Sequence, residues 1–186
     1  MIFQKIISQF FPNDTEIQDF IIDNIRSLEV KKGDVISRNG SYNRNIYFIE
    51  NGLLRAFYLE NGKDITTNFY PEGKLVANID TLFQEQPTRF NIEALENSSI
   101  VYCDYEKLEM LCKESLPAAN FSRYILGNLM VQMSNRMTSL QYMTAKEKYE
   151  DLMQDHKDII LRAPLGTIAT YLGISPETLS RIRSSI

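Results

Sequence analysis

The chain is poor in the residues that enzyme chemistry and extracellular scaffolds most often need. Its 186 residues include one histidine, His156, and two cysteines, Cys103 and Cys112. Two cysteines are too few for a disulfide framework, and no C-x-x-C pair or Cys/His cluster has metal-ligand spacing. They read as free thiols of a cytosolic protein. A lone histidine among charged residues reads as a surface group, so no metal site is assigned. The sequence also lacks a phosphate-binding glycine loop, a nucleophile elbow, and a histidine beside a serine or cysteine. Its carboxylates are scattered over turns and helix faces, and no catalytic residue is assigned. Long apolar runs are missing too: nothing approaches the roughly 20 residues a membrane helix requires. The N-terminal "MIFQKIISQFF" is apolar, but Gln4, Lys5, Ser8 and Gln9 interrupt it. Without a basic start or a small-residue cleavage site it is a poor signal peptide. It reads as an amphipathic helix docked on the body of a cytoplasmic protein.

What is present is an ordinary globular composition, 44% hydrophobic and 24% charged, sized for one domain or two small ones. The net charge of −4 is unevenly placed. Residues 1–115 hold 12 basic against 18 acidic side chains, and residues 116–186 hold 8 against 6. An acidic front and a mildly basic back hint at a polyanion partner for the back half.

The front opens with a helix signal. Asn13 or Asp14 can cap a segment in which Ile17, Ile21, Ile22 and Ile25 recur at helical spacing. From Ser27 to Asp104 the texture is β-rich. Asn39-Gly40, Asn51-Gly52 and Asn61-Gly62 are hairpin signals, because both residue types tolerate positive φ. Between and after them lie "IYFIE", "LLRAFYL", "ITTNFY", "FNIEAL" and "SIVYCDY". In the fourth run Phe90, Ile92 and Ala94 alternate with polar residues. Turns about ten residues apart suggest a β-sandwich or barrel.

Helical spacing returns at Tyr105. A short helix over "YEKLEMLCKES" precedes a long one running from Pro117 to about Tyr142. Within it Leu126, Met130, Met133, Met137 and Leu140 are spaced four, three, four, three, the seam that lets two helices pack side by side. Ile125 and Leu129 form a second apolar edge, so the helix can pack on its own subunit and on a partner. A core helix within one subunit is the alternative. Methionine in three seam positions makes that interface adaptable. Thr144-Ala-Lys-Glu147 is a capping box, marking a break, and so a hinge, before a helix with Ala145, Tyr149 and Leu152 on one face.

The last segment, "LGTIATYLGISPETLSRI", meets the demands of two short helices crossing at a tight turn. Ala169 supplies the small contact, and Gly173 a position that accepts positive φ. Ile168, Leu172, Ile174, Leu179 and Ile182 supply a shared core. Ser175 can cap the second helix, Pro176 suits its first position, and Glu177 suits the positive end of its dipole. With Leu179 and Ile182 inside, Pro176, Glu177, Ser180, Arg181 and Ser184 form one outward stripe. The glutamate can accept from cytosine N4, and the arginine can donate twice to guanine O6 and N7. Arg183 lies off the stripe, suited to a phosphate. This is a helix-turn-helix with its recognition helix. An αα corner with a solvated polar face is the alternative.

With these pieces in order, the chain resembles the cyclic-nucleotide-receptor type regulators, the CRP/FNR family. "NIYFIENGLLRAFYLENGKDIT", "LMVQMSNRMTSL" and "IATYLGISPETLSRIR" carry the resemblance, which spans nearly all 186 residues. It implies an α+β protein: a jelly-roll-like β-roll sensor over 1–115, a dimerisation helix over 116–144, and a DNA-binding helix-turn-helix domain over 145–186. It also implies a cytosolic homodimer that regulates transcription. The partners implied are an inverted-repeat operator, a second copy of the chain, and RNA polymerase.

The family's nucleotide pocket carries Gly-Glu-Leu and then Arg followed by Ser or Thr. Here Gly73 matches the lead-in turn, and Ala77, Asn78 and Ile79 fill the Gly-Glu-Leu slot. Arg89 falls near the phosphate position, with Phe90 in place of the small hydroxyl. A cyclic phosphate would keep at most one ionic partner in a half-dry cavity, at a cost of several kcal/mol. Cyclic AMP is therefore not expected as the effector, and no cofactor is assigned: the roll senses an unidentified small molecule, or nothing. The family's iron–sulfur branch needs an N-terminal cysteine cluster, and no cysteine precedes Cys103. A haem sensor would need axial ligands in the roll, and His156 lies outside it. The family's usual β-hairpin wing after the recognition helix is not expected either, since the sequence runs only to Ile186. The alternative from another class is a ligand- or protein-binding module whose helix-turn-helix no longer reads DNA.

Overall fold

The computed structural model describes residues 1–185 as nine helices and eight strands. Helix α1 (Ile2–Phe10) lies against the body as expected. The Glu50 carboxylate accepts from the N–H groups of Ile2 and Phe3 at 2.7 and 2.9 Å, and Phe3 packs on Phe48. This satisfies two of the unpaired donors at a helix start. In α2 (Thr15–Asn24) the cap is Asp14, which accepts from the Ile17 N–H. Ile17 is buried and Ile21 packs behind it, but Ile22 is turned to solvent at 74% exposure. At 100° per residue it falls off the stripe that Ile17 and Ile21 define.

The strands are β1 (Arg26–Val30), β2 (Val35–Ser37), β3 (Asn45–Asn51), β4 (Leu54–Glu60), β5 (Lys63–Tyr70), β6 (Leu75–Ala77), β7 (Asn91–Ala94) and β8 (Ser98–Asp104). They form two four-stranded sheets, ordered β1-β8-β3-β6 and β2-β7-β4-β5, with antiparallel neighbours throughout. The inner faces meet on Val30, Tyr47, Ile49, Leu54, Val76, Ile92, Ala94 and Ile100. That is a β-roll within an α+β fold. Only one of the three Asn-Gly pairs closes a hairpin. Asn61 and Gly62 both have positive φ, 50° and 76°, and join β4 to β5 with Glu60 opposite Lys63. Asn51-Gly52 instead carries the chain from one sheet to the other, and so does the stretch holding Asn39-Gly40. Gly52 has φ 107°, and a Cβ there would overlap the Ser98 side chain and backbone.

Helix α3 (Ile79–Gln84) bridges β6 and β7, and α4 (Tyr105–Glu114) follows β8 under an Asp104 cap. The long α5 (Leu116–Tyr142) starts at a Ser115 cap and packs at its N-terminal end through Ala118 and Phe121 on Phe11, Ile17 and Leu111. It ends at Tyr142. Thr144 then caps α6 (Ala145–Asp155) in a complete capping box with Glu147. α7 (Lys157–Arg162), α8 (Leu165–Leu172) and α9 (Pro176–Ser184) complete the chain. These last helices share a core with the roll: Leu53 and Phe69 join Tyr149, Leu152, Ile159, Ile168, Ala169, Leu172 and Leu179 in one buried cluster.

Candidate DNA interface

The terminal pair of helices is built as the residue spacing requires. Gly173 takes φ 71° at the end of α8, and Gly173 and Ile174 donate back to Thr170 and Ala169 at 3.1 and 3.0 Å. Those two bonds close a helix end through a left-handed residue, which glycine adopts without penalty. Ser175 Oγ accepts from the Thr178 N–H at 3.2 Å, and Pro176 opens α9. Ala169 and Leu179 are fully buried where the helices cross, and Ile168 and Leu172 nearly so. Ile174 and Ile182 pack around them.

The opposite face of α9 is open. Pro176, Glu177, Ser180, Arg181 and Ser184 are all exposed, as is Arg183. Neither Arg181 nor Arg183 forms an ion pair among the described residues. The Glu177 carboxyl is held below the usual carboxylate range by its own backbone N–H and the Ser175 hydroxyl, with Arg181 adding its charge. It is therefore an ionised acceptor at neutral pH. One member of the stripe is less free than its position suggests. Ser184 Oγ donates to the Ser180 and Arg181 carbonyls at 3.1 and 3.0 Å, the back-bonding that short hydroxyls favour in helices.

The α5 seam is also open. Leu126, Met130, Met133, Met137 and Leu140 all face solvent, with Met130 at 72% and Met133 at 71% exposure. Ile125 and Leu129 are half-buried on another side of the helix. Within the chain, α5 buries only Ala118 and Ser139.

Of the six residues matched to a nucleotide pocket, Ala77, Asn78 and Ile79 meet Arg89 and Phe90 through the Arg89–Asp80 pair. Gly73 makes a turn at φ 79°, and Ala77 ends β6. Asn78 is buried, but its amide already donates to Ser37 Oγ and the Asn43 carbonyl at 2.9 and 3.0 Å. Ile79 is half in solvent. Arg89 points outward and grips Asp80 with two 3.0 Å hydrogen bonds, which hold the aspartate below its usual range. Phe90 packs edge-on to Tyr58. A cavity of about 550 Å³ on the roll includes none of the six; Leu28, Val30, Ile36, Asn43, Tyr47 and Tyr102 are among its walls.

Three arginines carry contacts that local sequence patterns do not announce. Arg55 on β4 is buried and cross-links three strands, reaching Asp64 twice at 2.6 Å, Glu93 at 2.7 Å and Thr66 Oγ1 at 2.9 Å. Arg162, the last residue of α7, grips the tips of the roll. It donates to both Glu72 oxygens at 3.0 and 2.9 Å, to Glu96 at 2.6 Å, and to Asp158 on its own helix at 3.3 Å. Burial alone would raise the Glu72 carboxyl, but hydrogen bonds from Arg162 and the Gly52 N–H outweigh it and hold it below the usual range. Arg136 of α5 lies 3.9 Å from the centre of the Tyr171 ring and donates to the Tyr171 carbonyl. Tyr171 in turn packs edge-on to Phe69 of β5 at 5.0 Å.

The described residues contain no helix long and apolar enough to cross a membrane. A family model for the cyclic nucleotide-binding domain matches residues 27–115. Regulatory protein HlyX of Actinobacillus pleuropneumoniae is 27% identical over 175 residues, which cover 87% of this chain and 72% of that protein. The anaerobic regulatory protein of Haemophilus influenzae is 24% identical over 187 residues, 93% of this chain and 71% of that protein. In fold, the chain is similar to FixK2 from Bradyrhizobium japonicum, with a TM-score of 0.76 at 19% identity, over 87% of this chain and 83% of FixK2. With a roll, a long helix and a terminal helix-turn-helix in this order, the chain is similar over most of its length to regulatory proteins of the CRP/FNR type.

Proposed function

We propose that the chain acts as a homodimer that reads an inverted-repeat operator through α9. Residues 1–115 form its sensor, 116–144 its dimerisation helix and 145–186 its DNA-binding domain. The observation that carries this reading is the two-sided character of α9. Leu179 on its inner face is fully buried, while Glu177, Ser180 and Arg181 stand exposed on the outer one, and Arg181 forms no ion pair among the described residues. An open heptad seam on α5 supports the dimer. Glu177 and Arg181 are the base-reading pair, Arg183 is a phosphate contact, and the protein works in the cytoplasm. Selection from a random duplex pool at low salt tests this. The expected product is an inverted repeat with half-sites about 34–36 Å apart. Failure to enrich any sequence contradicts it and favours a module that binds protein rather than DNA.

The effector of the roll is a small molecule other than cyclic AMP. Arg89 is already paired with Asp80 on the outside of the roll, and the Asn78 amide is committed to Ser37 and Asn43. A cyclic phosphate would therefore meet no free cation among the six matched positions. Calorimetric titration with cyclic AMP should give no heat of binding; a micromolar isotherm contradicts this.

A further inference from the structure

The α9 stripe is useful to a dimer only if its distance from the dimer axis is fixed. The chain link between α5 and the terminal unit is two residues, Met143 and Thr144, both in extended backbone. Such a link does not by itself set an angle. Arg136 of α5 also touches Tyr171 of α8, and the terminal unit is otherwise seated on the roll of its own chain. Phe69 and Leu53 enter its core, and the Thr66 N–H donates to Thr170 Oγ1 at 3.2 Å. Arg162 closes the contact on Glu72 and Glu96, which lie 90 and 66 residues away at the roll's turns. The polar contacts among these use α7 and α8. None involves the outward stripe of α9, so the seated unit keeps that stripe free.

We infer that Arg162 is a positioning residue for operator recognition: through Glu72 and Glu96 it fixes the seat of the helix-turn-helix and so sets the half-site spacing the dimer accepts. The inference rests on the DNA-reading dimer proposed above. Its physical basis is the forked guanidinium, which meets one carboxylate along two parallel bonds and a second through its remaining N–H groups, and so fixes direction as well as distance. Without Arg162, three carboxylates, Glu72, Glu96 and Asp158, face one another with no counter-charge, and the seat is pushed open. One added base pair moves a half-site by about 3.4 Å and rotates it by about 35°. A unit swinging on Met143–Thr144 can follow such a step, whereas a seated one cannot.

The test uses the full chain and a pool in which the selected half-sites are separated by spacers of varied length. Wild-type protein should prefer one spacer over its neighbours by about tenfold or more, roughly one mismatch's worth of discrimination. Arg162→Ala should keep the same base preferences within each half-site but lose most of its preference among spacers. Arg162→Lys, which retains charge but not the fork, should fall between the two. The Glu72→Gln/Glu96→Gln pair removes the charges from the roll side and retains volume, so broadening there too excludes a folding defect. Hydrogen exchange at the Thr66 amide gives a readout independent of DNA, and its protection should fall in Arg162→Ala. If both variants keep the wild-type spacer preference, the positioning role is wrong although DNA reading stands. If the wild type itself enriches no repeat, DNA reading fails first and the positioning role falls with it.

Discussion

Met133 sits at the centre of the exposed seam, and replacing it with glutamate separates dimerisation from folding. At 71% exposure the side chain contributes little to the single chain, so Met133→Glu should leave the fold intact. In a two-fold dimer the same position faces its own copy. Fully burying one methionine stabilises by roughly 1.5–3 kcal/mol, and the substitution removes two such contributions per dimer, about 3–6 kcal/mol. That corresponds to a loss of about 10²–10⁴ in dimer affinity. Two carboxylates brought face to face add repulsion. Sedimentation equilibrium over a concentration series should show a wild-type dimer and a Met133→Glu monomer with unchanged far-ultraviolet circular dichroism. A variant that sediments as the wild type does would refute the seam as the interface. A wild type that is itself monomeric at every concentration would refute it as well.

Other expected outcomes follow from single contacts. Leu179 is fully buried at the helix crossing, so Leu179→Ala should cost about 2–5 kcal/mol in denaturant unfolding. Gly52→Ala adds a Cβ that overlaps Ser98 at a φ of 107°; it should destabilise by more than the 1 kcal/mol or so typical of point substitutions, read as a lower melting temperature. Glu72 has a folded pKa below its ordinary value of 4.5. Its stabilisation is therefore present above that value and lost as pH falls through the folded pKa. Wild-type protein should lose more stability than Glu72→Gln in acid titrations below about pH 5, where the unfolded carboxylate begins to bind protons.

The parts legible in sequence are those fixed by neighbours along the chain. The helix-turn-helix depends on Ala169, Gly173, Ser175 and Leu179, all within eleven residues, and each occupies the expected place. The Asp14 cap, the Thr144 capping box and the α5 seam are likewise local. Asn-Gly pairs report backbone freedom but not which strand follows, so Asn51-Gly52 reads as a hairpin although it joins two sheets. Arg89 fits a pocket by its place in the sequence, yet Asp80, nine residues earlier, draws it outward. Arg162 is invisible for the opposite reason: its partners lie far away in sequence, and nothing in "HKDIILRAP" points to Glu72 or Glu96. Long-range ion pairs have no period and no spacing rule, so only the fold reveals them.

The central claim is that α9 reads bases, with Arg181 as a principal reader. Equilibrium binding of wild type and Arg181→Ala to the selected operator, and to versions changed one base pair at a time, tests it most directly. A guanine contact predicts a loss of about 1–3 kcal/mol on the operator and relaxed preference at one base pair in each half-site. An equal loss on every duplex would reduce Arg181 to a phosphate contact, and no loss at all would contradict the account.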